Sequence, residues 1–196
     1  MSESPAIIYS KAKIASRVAA MARAISRDYG TEAVDVVIRV EDSFIFAADL
    51  IRDLKNPVVC HFVRTEMRDV ELSGHERREV FFSHPPELKG RNVLIVEVVL
   101  RTGVTLDFLS KRLLEAGPRS LRVAVLVDEP SERRVDLRPD YFGFVGASKI
   151  LVGYGLEGRA GQFRNLAYIG HSGPRNGRGA GGGGTRERSR AQRKAR

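Results

Sequence analysis

Hydrophobic positions along the chain follow a helical spacing in some segments and form short continuous runs in others. In residues 10–29 the apolar residues are spaced by four, three and four positions, so they share one face of a helix. These residues are Ile14, Val18, Met21 and Ile25. Ser10 is suited to cap the segment and Gly30 to end it. The first predicted element is therefore an amphipathic helix.

Short runs rich in Val, Ile and Leu predict strands between further helices. The strand-like segments, in chain order, are VDVVIRV, PVVCHFV, VLIVEVV, LRVAVLV and ILVGYGL. The helical segments are FIFAADLIRDLK and TLDFLSKRLLEAG, the second closed by Gly117. Glu41 and Asp42 are predicted to lie in a loop before the first of these helices. The charged segment TEMRDVELSGHERREVFF is predicted to form a loop with a hairpin or an edge strand.

Continuous apolar strands joined by helices are typical of a parallel sheet that is covered on both faces. The predicted fold class is therefore α/β. Ligands of such sheets bind beyond the carboxyl ends of the strands. A site is accordingly expected among the loops at residues 40–43, 97–105, 128–130 and 154–164.

Composition separates the chain into a domain and a tail. With 196 residues, of which 42% are hydrophobic, residues 1–172 can form one domain with its own core. Residues 173–196 hold eight Lys or Arg and one Glu, which accounts for +7 of the net charge of +9. This Gly- and Arg-rich tail lacks residues that could anchor a core, so it is predicted to be disordered. It either binds RNA, ribosomes or another polyanion, or only increases solubility.

Other classes of protein find no support in the sequence. No apolar run reaches the length of a membrane span, and the first residues do not form a signal peptide, so a cytoplasmic location without membrane contact is predicted. The single cysteine, Cys60, excludes an internal disulfide and is expected to serve packing. The four histidines are scattered, so no metal cluster is predicted from them.

The segment RTGVT, residues 101–105, has the properties of a phosphate-binding turn. It follows an apolar strand and begins a helix, where backbone N–H groups attract anions. Gly103 lets a ligand approach the backbone, and Thr102 and Thr105 supply hydroxyl groups. The alternative is a purely structural turn in which Thr105 caps the helix.

Four segments carry a resemblance to a known family. VLIVEVVLRTGVTL resembles the phosphoribosyl-pyrophosphate motif of type I phosphoribosyltransferases. VEDSFIFAADLIRDL, DYFGF and ILVGYGLEGRAGQFRNLAYIG resemble the hypoxanthine (purine) branch of that family. The similarity extends from about residue 36 to residue 170. It implies a parallel sheet flanked by helices with a small hood over the ligand, and Mg²⁺ as the cofactor if the protein is active.

The resemblance also implies positions for the ligand groups. Phosphate and ribose would be bound by Glu97, Arg101, Thr102, Gly103, Val104 and Thr105. The purine pocket would be formed by Glu129, Lys149, Ile150 and Leu151. The pyrophosphate side would hold Glu41, Asp42 and Arg164, and Glu157 would replace an aspartate that family members associate with the metal. The alternatives for Arg164 and Glu157 are a surface ion pair and a solvated side chain.

Several of these positions depart from the family pattern. Val98 stands in place of the second ribose-binding acid, and Arg101 stands where the family has the acid used for proton transfer to the purine. A guanidinium group donates hydrogen bonds only, so Arg101 cannot serve as a base, and no catalytic residue is assigned. Glu41 and Asp42 replace a lysine and a glycine.

In the purine pocket two further residues differ from the family. Glu129 replaces the lysine that recognises the exocyclic oxygen, and Ile150 replaces the stacking aromatic residue. The segment that corresponds to the hood has no Ser-Tyr pair. Arg101 and Glu129 either pair with each other or point apart.

These departures lead to three hypotheses. The first, which the sequence favours, is a catalytically degenerate family member that retains a phosphate or nucleotide site and acts as a binding or regulatory subunit. The second is an active purine (hypoxanthine or guanine) phosphoribosyltransferase of purine salvage. The third is a protein that associates with RNA or ribosomes through residues 173–196. The resemblance also implies a homo-oligomer, with a heteromer containing an active relative as a further possibility.

Overall fold

Three of the apolar runs form the centre of a six-stranded sheet. The structure, a computed structural model, describes residues 4–70, 75–82, 86–146, 150–158 and 161–171. In chain order the elements are β1 (Ala6–Tyr9), α1 (Lys11–Tyr29), β2 (Val34–Arg39), α2 (Val40–Asp53), β3 (Val58–Val70), β4 (His75–Phe82), β5 (Asn92–Leu100), α3 (Val104–Leu114), β6 (Ser120–Asp128), β7 (Tyr141–Val145), β8 (Leu151–Val152) and β9 (Ile169–His171). The predicted α/β class is confirmed.

The large sheet has the strand order β4-β3-β2-β5-β6-β7. Strands β3, β2, β5, β6 and β7 are parallel, and β4 pairs antiparallel with β3 at one edge. The central strands are buried on both faces, which is why their sequences are continuous apolar runs rather than alternating ones. Because the five strands are parallel, their carboxyl ends lie at one edge of the sheet.

Helices cover both faces of this sheet. Apolar side chains of α1 and α2, such as Ile14 and Phe46, pack with one face of β2 and β5. Leu106, Leu109 and Leu113 of α3 pack on the opposite face. Cys60 is partly buried against the first of these two cores. The two helical layers hold the loops at the carboxyl edge in fixed positions.

The ends of α1 agree with the prediction, whereas the starts of α2 and α3 do not. The Ser10 hydroxyl accepts from the N–H of Lys13 at 3.4 Å, and Gly30 follows the last residue with φ 61°. Helix α2 begins at Val40, so the loop predicted for Glu41 and Asp42 is wrong. Both residues lie in its first helical turn, where carboxylates are favoured by the positive end of the helix dipole.

The start of α3 also corrects the predicted cap. Gly103 is the residue before the helix and has φ 77° and ψ −8°, so Thr105 lies inside the first turn and does not cap it. The helix ends at Leu114, and Gly117 completes the following turn by donating its N–H to the Leu114 carbonyl. Gly103 thus takes the backbone through a left-handed conformation that glycine adopts readily.

A second, three-stranded sheet has the order β1-β9-β8. The sequence patterns did not predict β1, β7 or β9. The strand predicted over ILVGYGL ends at Val152, so the prediction is wrong for the residues after it. The chain turns there because Gly153, Tyr154 and Gly155 all have positive φ. The charged segment at residues 65–82 forms the outer half of β3 and all of β4, and these two strands pair antiparallel at the sheet edge, in agreement with the predicted hairpin or edge strand.

Some predictions concern parts of the chain outside the described residues. Lys149 and the tail at residues 173–196 belong to this group. Within the described ranges, none of the helices combines the length and apolar character needed to cross a membrane. The cytoplasmic location and the extent of the domain over residues 1–172 stay predictions.

Candidate active site

A cavity of about 220 Å³ lies at the carboxyl edge of the large sheet. The residues that line it are Arg39, Asp42, Glu97, Val98, Val99, Arg101, Ile150, Leu151 and Leu156. They come from the end of β2, the first turn of α2, the end of β5 and the chain around β8. The cavity therefore combines an aliphatic wall with charged groups at the position where parallel sheets bind ligands.

The turn between β5 and α3 borders this cavity and is called the phosphate turn, residues 101–106. The N–H groups in the first turn of a helix have no partners within the helix, and no side chain of the described residues caps α3. Such a helix end attracts an anion through its N–H groups and its dipole. The phosphate turn thus has the geometry of a site for a phosphate group.

Gly103 is required in this turn for steric reasons as well as for its φ angle. A Cβ atom at this position would lie 2.8 Å from Cγ2 of Val135 and 3.1 Å from Cδ of Arg133. The N–H of Arg134 also donates to the Thr102 carbonyl at 2.9 Å. The segment after β6 therefore packs closely on one side of the phosphate turn and fixes its backbone.

Arg101 and Glu129 form an ion pair at the edge of the cavity. The Arg101 Nε donates to Glu129 Oε2 at 2.7 Å. The Glu129 side chain is completely buried, whereas 41% of the Arg101 side chain is exposed. The other carboxylate oxygen, Oε1, has no hydrogen-bond partner among the described residues. Of the two arrangements left open by the sequence, the structure contains the paired one.

A second ion pair occupies the end of β2. The guanidinium of Arg39 donates to both Glu97 oxygens, from Nε at 2.7 Å and from Nη2 at 3.1 Å. The Ser43 hydroxyl donates to the same carboxylate at 2.7 Å and accepts from the N–H of Val98 at 3.0 Å. Burial by itself lowers the pKa of Arg39. The charge of Glu97, its hydrogen bond and the nearby acids Asp42 and Glu41 together outweigh burial, so the pKa of Arg39 is raised above its ordinary value. The Glu97 carboxylate is thus held firmly by protein groups.

Arg164 continues this network towards the surface. Its Nη1 donates to Asp42 Oδ1 at 3.0 Å, to the Gly155 carbonyl at 2.6 Å and to the Glu41 carbonyl, and its Nη2 donates to Glu157 at 2.6 Å. Arg39 Nη2 also contacts Asp42, at 3.4 Å. Alternating charges therefore connect Glu97, Arg39, Asp42, Arg164 and Glu157. Residues 39–43, where this network meets α2, are called the α2 head.

The carboxylates of the site do not fit a metal site built by the protein. Glu97, Asp42 and Glu157 each contact an arginine guanidinium. Within the described part of the chain, no three His, Cys, Asp or Glu residues come together as a metal site. Mg²⁺ is often bound through one or two carboxylates plus substrate phosphates. In this site the carboxylates of Glu97, Asp42 and Glu157 are already paired with arginine side chains.

The structure brings most of the predicted site residues to one edge of the sheet. Glu97, Arg101, Asp42, Ile150 and Leu151 line the cavity. Thr102, Gly103, Val104 and Thr105 form the adjoining turn, while Glu41, Arg164 and Glu157 lie at the α2 head and next to it. Glu129 lies behind Arg101, and the cavity lining formed by the described residues does not include it.

Two residues that shape the site were missed in the sequence. Arg39 and Ser43 hold Glu97, which follows them by more than 50 positions. Arg39 ends an apolar strand and Ser43 lies near the start of the helix that follows, which is where functional side chains collect in parallel sheets. Arg39 is the one basic residue of VDVVIRV, and its residue type alone does not indicate that it pairs with Glu97.

Comparison with known proteins identifies the family. A sequence model described as the phosphoribosyl transferase domain matches residues 6–158. The chain is also 31% identical over 167 residues to the hypoxanthine phosphoribosyltransferase of Haemophilus influenzae, covering 84% of this chain and 93% of the relative. This chain belongs to the type I phosphoribosyltransferases, in their hypoxanthine branch. The family resemblance predicted from the four sequence segments is confirmed.

Other type I phosphoribosyltransferases give the same result for sequence and structure. The hypoxanthine-guanine phosphoribosyltransferase of Aquifex aeolicus is 32% identical over 158 residues, covering 80% of this chain and 88% of that protein. The crystal structure of a hypoxanthine-guanine phosphoribosyltransferase from Bacillus anthracis superimposes with a TM-score of 0.76 at 32% identity. It covers 87% of this chain and 99% of that one. The parallel sheet flanked by helices is therefore the family fold.

Proposed function

We propose that the chain is an active purine phosphoribosyltransferase that transfers a phosphoribosyl group from phosphoribosyl pyrophosphate to a purine base. The relatives compared above are named hypoxanthine or hypoxanthine-guanine phosphoribosyltransferases. These names support an active enzyme better than the catalytically degenerate binding subunit that the sequence first favoured. The observation that carries the proposal is the phosphate turn beside a cavity with aliphatic walls.

In this reaction the bond from C1′ of the ribose to the pyrophosphate oxygen breaks, and a bond from C1′ to a purine nitrogen forms. The purine loses one proton, and pyrophosphate leaves. The phosphate turn would hold the 5′-phosphate through the N–H groups of α3 and the Thr102 and Thr105 hydroxyls. Ile150 and Leu151 would contact the flat purine ring.

Arg101 requires a different role from the proton transfer of the family. A guanidinium group has hydrogen-bond donors and no acceptor, so it cannot remove the purine proton. A cation can instead stabilise negative charge on the purine ring, and a preorganised charge of this kind is often a large contribution to catalysis. The proton would then leave to solvent, and the purine would react as its anion. The change from an acid to Arg101 is consistent with transfer under this scheme.

Mg²⁺ use follows from the family and stays a proposal for this chain. When present in such enzymes, a divalent ion neutralises negative charge on phosphate oxygens. In this chain the positive charges of Arg39 and Arg164 beside the α2 head are paired with the carboxylates of Glu97, Asp42 and Glu157. None of the roles assigned above to the protein's residues depends on the metal.

The experiment is a nucleotide-formation assay on the purified full-length chain. Phosphoribosyl pyrophosphate is supplied with hypoxanthine, guanine or xanthine, with and without Mg²⁺, at several pH values. We expect one nucleotide and one pyrophosphate per turnover, and a rate that increases towards alkaline pH because the purine must ionise. If nucleotides bind in calorimetric titration but none is formed from any base, the protein is a binding protein instead.

Association with other chains is a separate question. A homo-oligomer stays a prediction that follows from the family. Neither the comparisons nor the described residues support a heteromer or RNA binding, so neither is proposed. The mass of the purified chain in solution, measured by light scattering, tests the homo-oligomer.

A further inference from the structure

The segment that follows β6 runs alongside the phosphate turn and is called the brace, residues 129–137. Its backbone binds two carbonyl groups at the end of β5 and in the turn. The N–H of Glu129 donates to the Leu100 carbonyl at 2.9 Å. The N–H of Arg134 donates to the Thr102 carbonyl, also at 2.9 Å. One segment therefore fixes the chain on both sides of the residue that begins the phosphate turn.

The side chain of Arg133 adds a second set of contacts to the brace. Its Nη2 donates to the Leu100 carbonyl at 3.4 Å and to the Asp128 carboxylate. Its Nη1 donates to the Leu137 carbonyl at 3.1 Å. The ion pair is largely buried, since 13% of each of its two side chains is exposed. One guanidinium group thus connects the ends of β5 and β6 with the far end of the brace.

Arg133 also lies directly against the phosphate turn. A Cβ atom at Gly103 would be 3.1 Å from Cδ of Arg133 and 3.6 Å from its Nη1. The buried Nε of Arg133 has no acceptor among the described residues. A buried donor without an acceptor costs free energy. Stability alone is therefore a poor explanation for an arginine at this position.

We propose that Arg133 is a positioning residue that fixes the phosphate turn in the conformation that presents the N–H groups of α3 to a 5′-phosphate. It acts through the Leu100 carbonyl and the close contact with Gly103. An anion binds more tightly to N–H groups that are already oriented, because less order has to be created on binding. The proposal rests on the proposed function only for the identity of the phosphate-bearing ligand.

Arginine suits this role better than lysine does. The planar guanidinium fork donates to several acceptors in fixed directions, whereas the lysine ammonium is a compact charge on a flexible stem. Arg133→Lys therefore keeps a positive charge for Asp128 and loses the bridge from Leu100 to Leu137. It is the variant of choice, because removal of the charge would leave the largely buried Asp128 carboxylate unpaired.

The test is calorimetric titration of the full chain and of Arg133→Lys with guanosine monophosphate and with guanosine, which lacks the 5′-phosphate. We expect the variant to bind guanosine monophosphate more weakly by about tenfold or more, because its phosphate turn is no longer preorganised. Guanosine should bind equally to both chains. An equal loss for both ligands indicates a purely structural role and overturns the proposal, as does unchanged affinity for guanosine monophosphate.

Arg138→Lys is the matched control. Arg138 follows the brace, and its side chain is exposed. The same change of residue type there should leave both affinities unchanged. Urea denaturation shows whether each variant is folded. If the control loses as much affinity for guanosine monophosphate as Arg133→Lys does, the contacts of Arg133 are not the cause and the proposal is wrong.

Hydrogen exchange of the unchanged chain provides a measurement that does not require a folded variant. Because Arg133 connects the phosphate turn with the brace, bound guanosine monophosphate should slow amide exchange in both segments. Peptides that cover residues 101–106 and 129–137 report the two segments separately in mass spectrometry. Slower exchange in the phosphate turn alone contradicts the proposal.

The outcomes separate this proposal from the proposed function. Absence of transfer, together with a selective loss of affinity for guanosine monophosphate in Arg133→Lys, contradicts the reaction and supports the role of Arg133. Transfer by the unchanged chain with full affinity for guanosine monophosphate in the variant does the reverse. If the unchanged chain binds guanosine monophosphate no more tightly than guanosine, the role of Arg133 is wrong, and the transfer assay decides the proposed function independently.

Discussion

The phosphate turn and the α2 head lie at the same edge of the sheet but differ in how much charge the protein itself places at the start of the helix. Both follow directly on a strand and begin a helix, at Val104 and at Val40. At the α2 head, Glu41 and Asp42 place carboxylates at the positive end of the helix, and Arg39 pairs with Glu97. At the phosphate turn, Gly103 precedes the helix and Thr105 lies in its first turn, where the acid Asp107 is paired with Lys111.

The comparison shows where a ligand can gain binding energy. At the α2 head the protein's own charges satisfy each other, and an anion arriving there must compete with carboxylates that are already bound. At the phosphate turn the N–H groups of α3 exchange water for an external anion, which is favourable at a helix N-terminus. We therefore expect the 5′-phosphate to dominate binding and the pyrophosphate to contribute less.

The largest effect is expected from breaking the ion pair of the α2 head. Arg39→Met leaves Glu97, of which 7% of the side chain is exposed, without its cation. Removal of one partner of a buried pair costs about 3 kcal/mol or more, so the free energy of unfolding should fall by that order. Urea denaturation monitored by circular dichroism measures it.

The control is Arg112→Met, which removes an ion pair with Glu115 in which both side chains are 62% exposed. An exposed pair of this kind contributes about 0–1 kcal/mol. If the two variants lose equal stability, the α2 head is solvated rather than internally paired, and the comparison with the phosphate turn fails.

A smaller loss of stability, but a larger loss of phosphate binding, is expected at the phosphate turn. Gly103→Ala combines a left-handed φ of 77° with a Cβ atom 2.8 Å from Val135 Cγ2. Strained backbone costs about 1–3 kcal/mol, and relief of the contact must shift the turn. We expect about this loss in the free energy of unfolding and at least a tenfold weaker affinity for guanosine monophosphate, which is a change of about 1.4 kcal/mol.

Gly90→Ala is the matched control for this variant. Gly90 has a similar φ of 71°, and an added Cβ would meet no atom within 4 Å. It should lose stability through strain alone and keep nucleotide affinity unchanged. An equal loss of affinity in both variants would mean that strain, and not the shape of the phosphate turn, governs binding.

The smallest effect is expected at the outer end of the charge network. Glu157→Gln removes a charge that is paired with Arg164 and whose side chain is 53% exposed. The free energy of unfolding should change by less than about 1 kcal/mol, because solvent screens this pair. A loss as large as that of Arg39→Met, measured in the same urea titration, would show that the network acts as one cooperative unit.

The parts of the fold that follow from local chemistry were predictable. The runs VDVVIRV, VLIVEVV and LRVAVLV are strands because both of their faces are buried, and Ser10 and Gly30 bound α1 through their own side-chain and backbone preferences. In contrast, β7 alternates exposed and buried residues over only five positions, and β9 has three residues. Such short segments acquire their conformation from their neighbours.

The chemistry of the site was harder to predict, because it depends on contacts between distant residues. The sequence identifies Glu97 as an acid at the end of a strand, but it does not say that Arg39, 58 positions earlier, binds it. It also left open whether Arg101 and Glu129 pair. Residue type gives the charge of each group, whereas the partner of that charge depends on the packing of β2, β5 and β6.

The outer part of the β3–β4 hairpin extends past the strand that packs against the domain core, so its length can change without changing the core. β2 pairs with β3 only from Val58 to Val63, while β3 pairs with β4 from Val63 to Val70. Among the strand pairings of the described residues, the outer part joins the sheet at its base, so it extends beyond the edge where the site lies. At about 3.3 Å per residue, seven residues extend roughly 23 Å. Evolution can lengthen or shorten this arm by one residue pair at a time, and so change what it reaches, without altering the residues that make the domain fold.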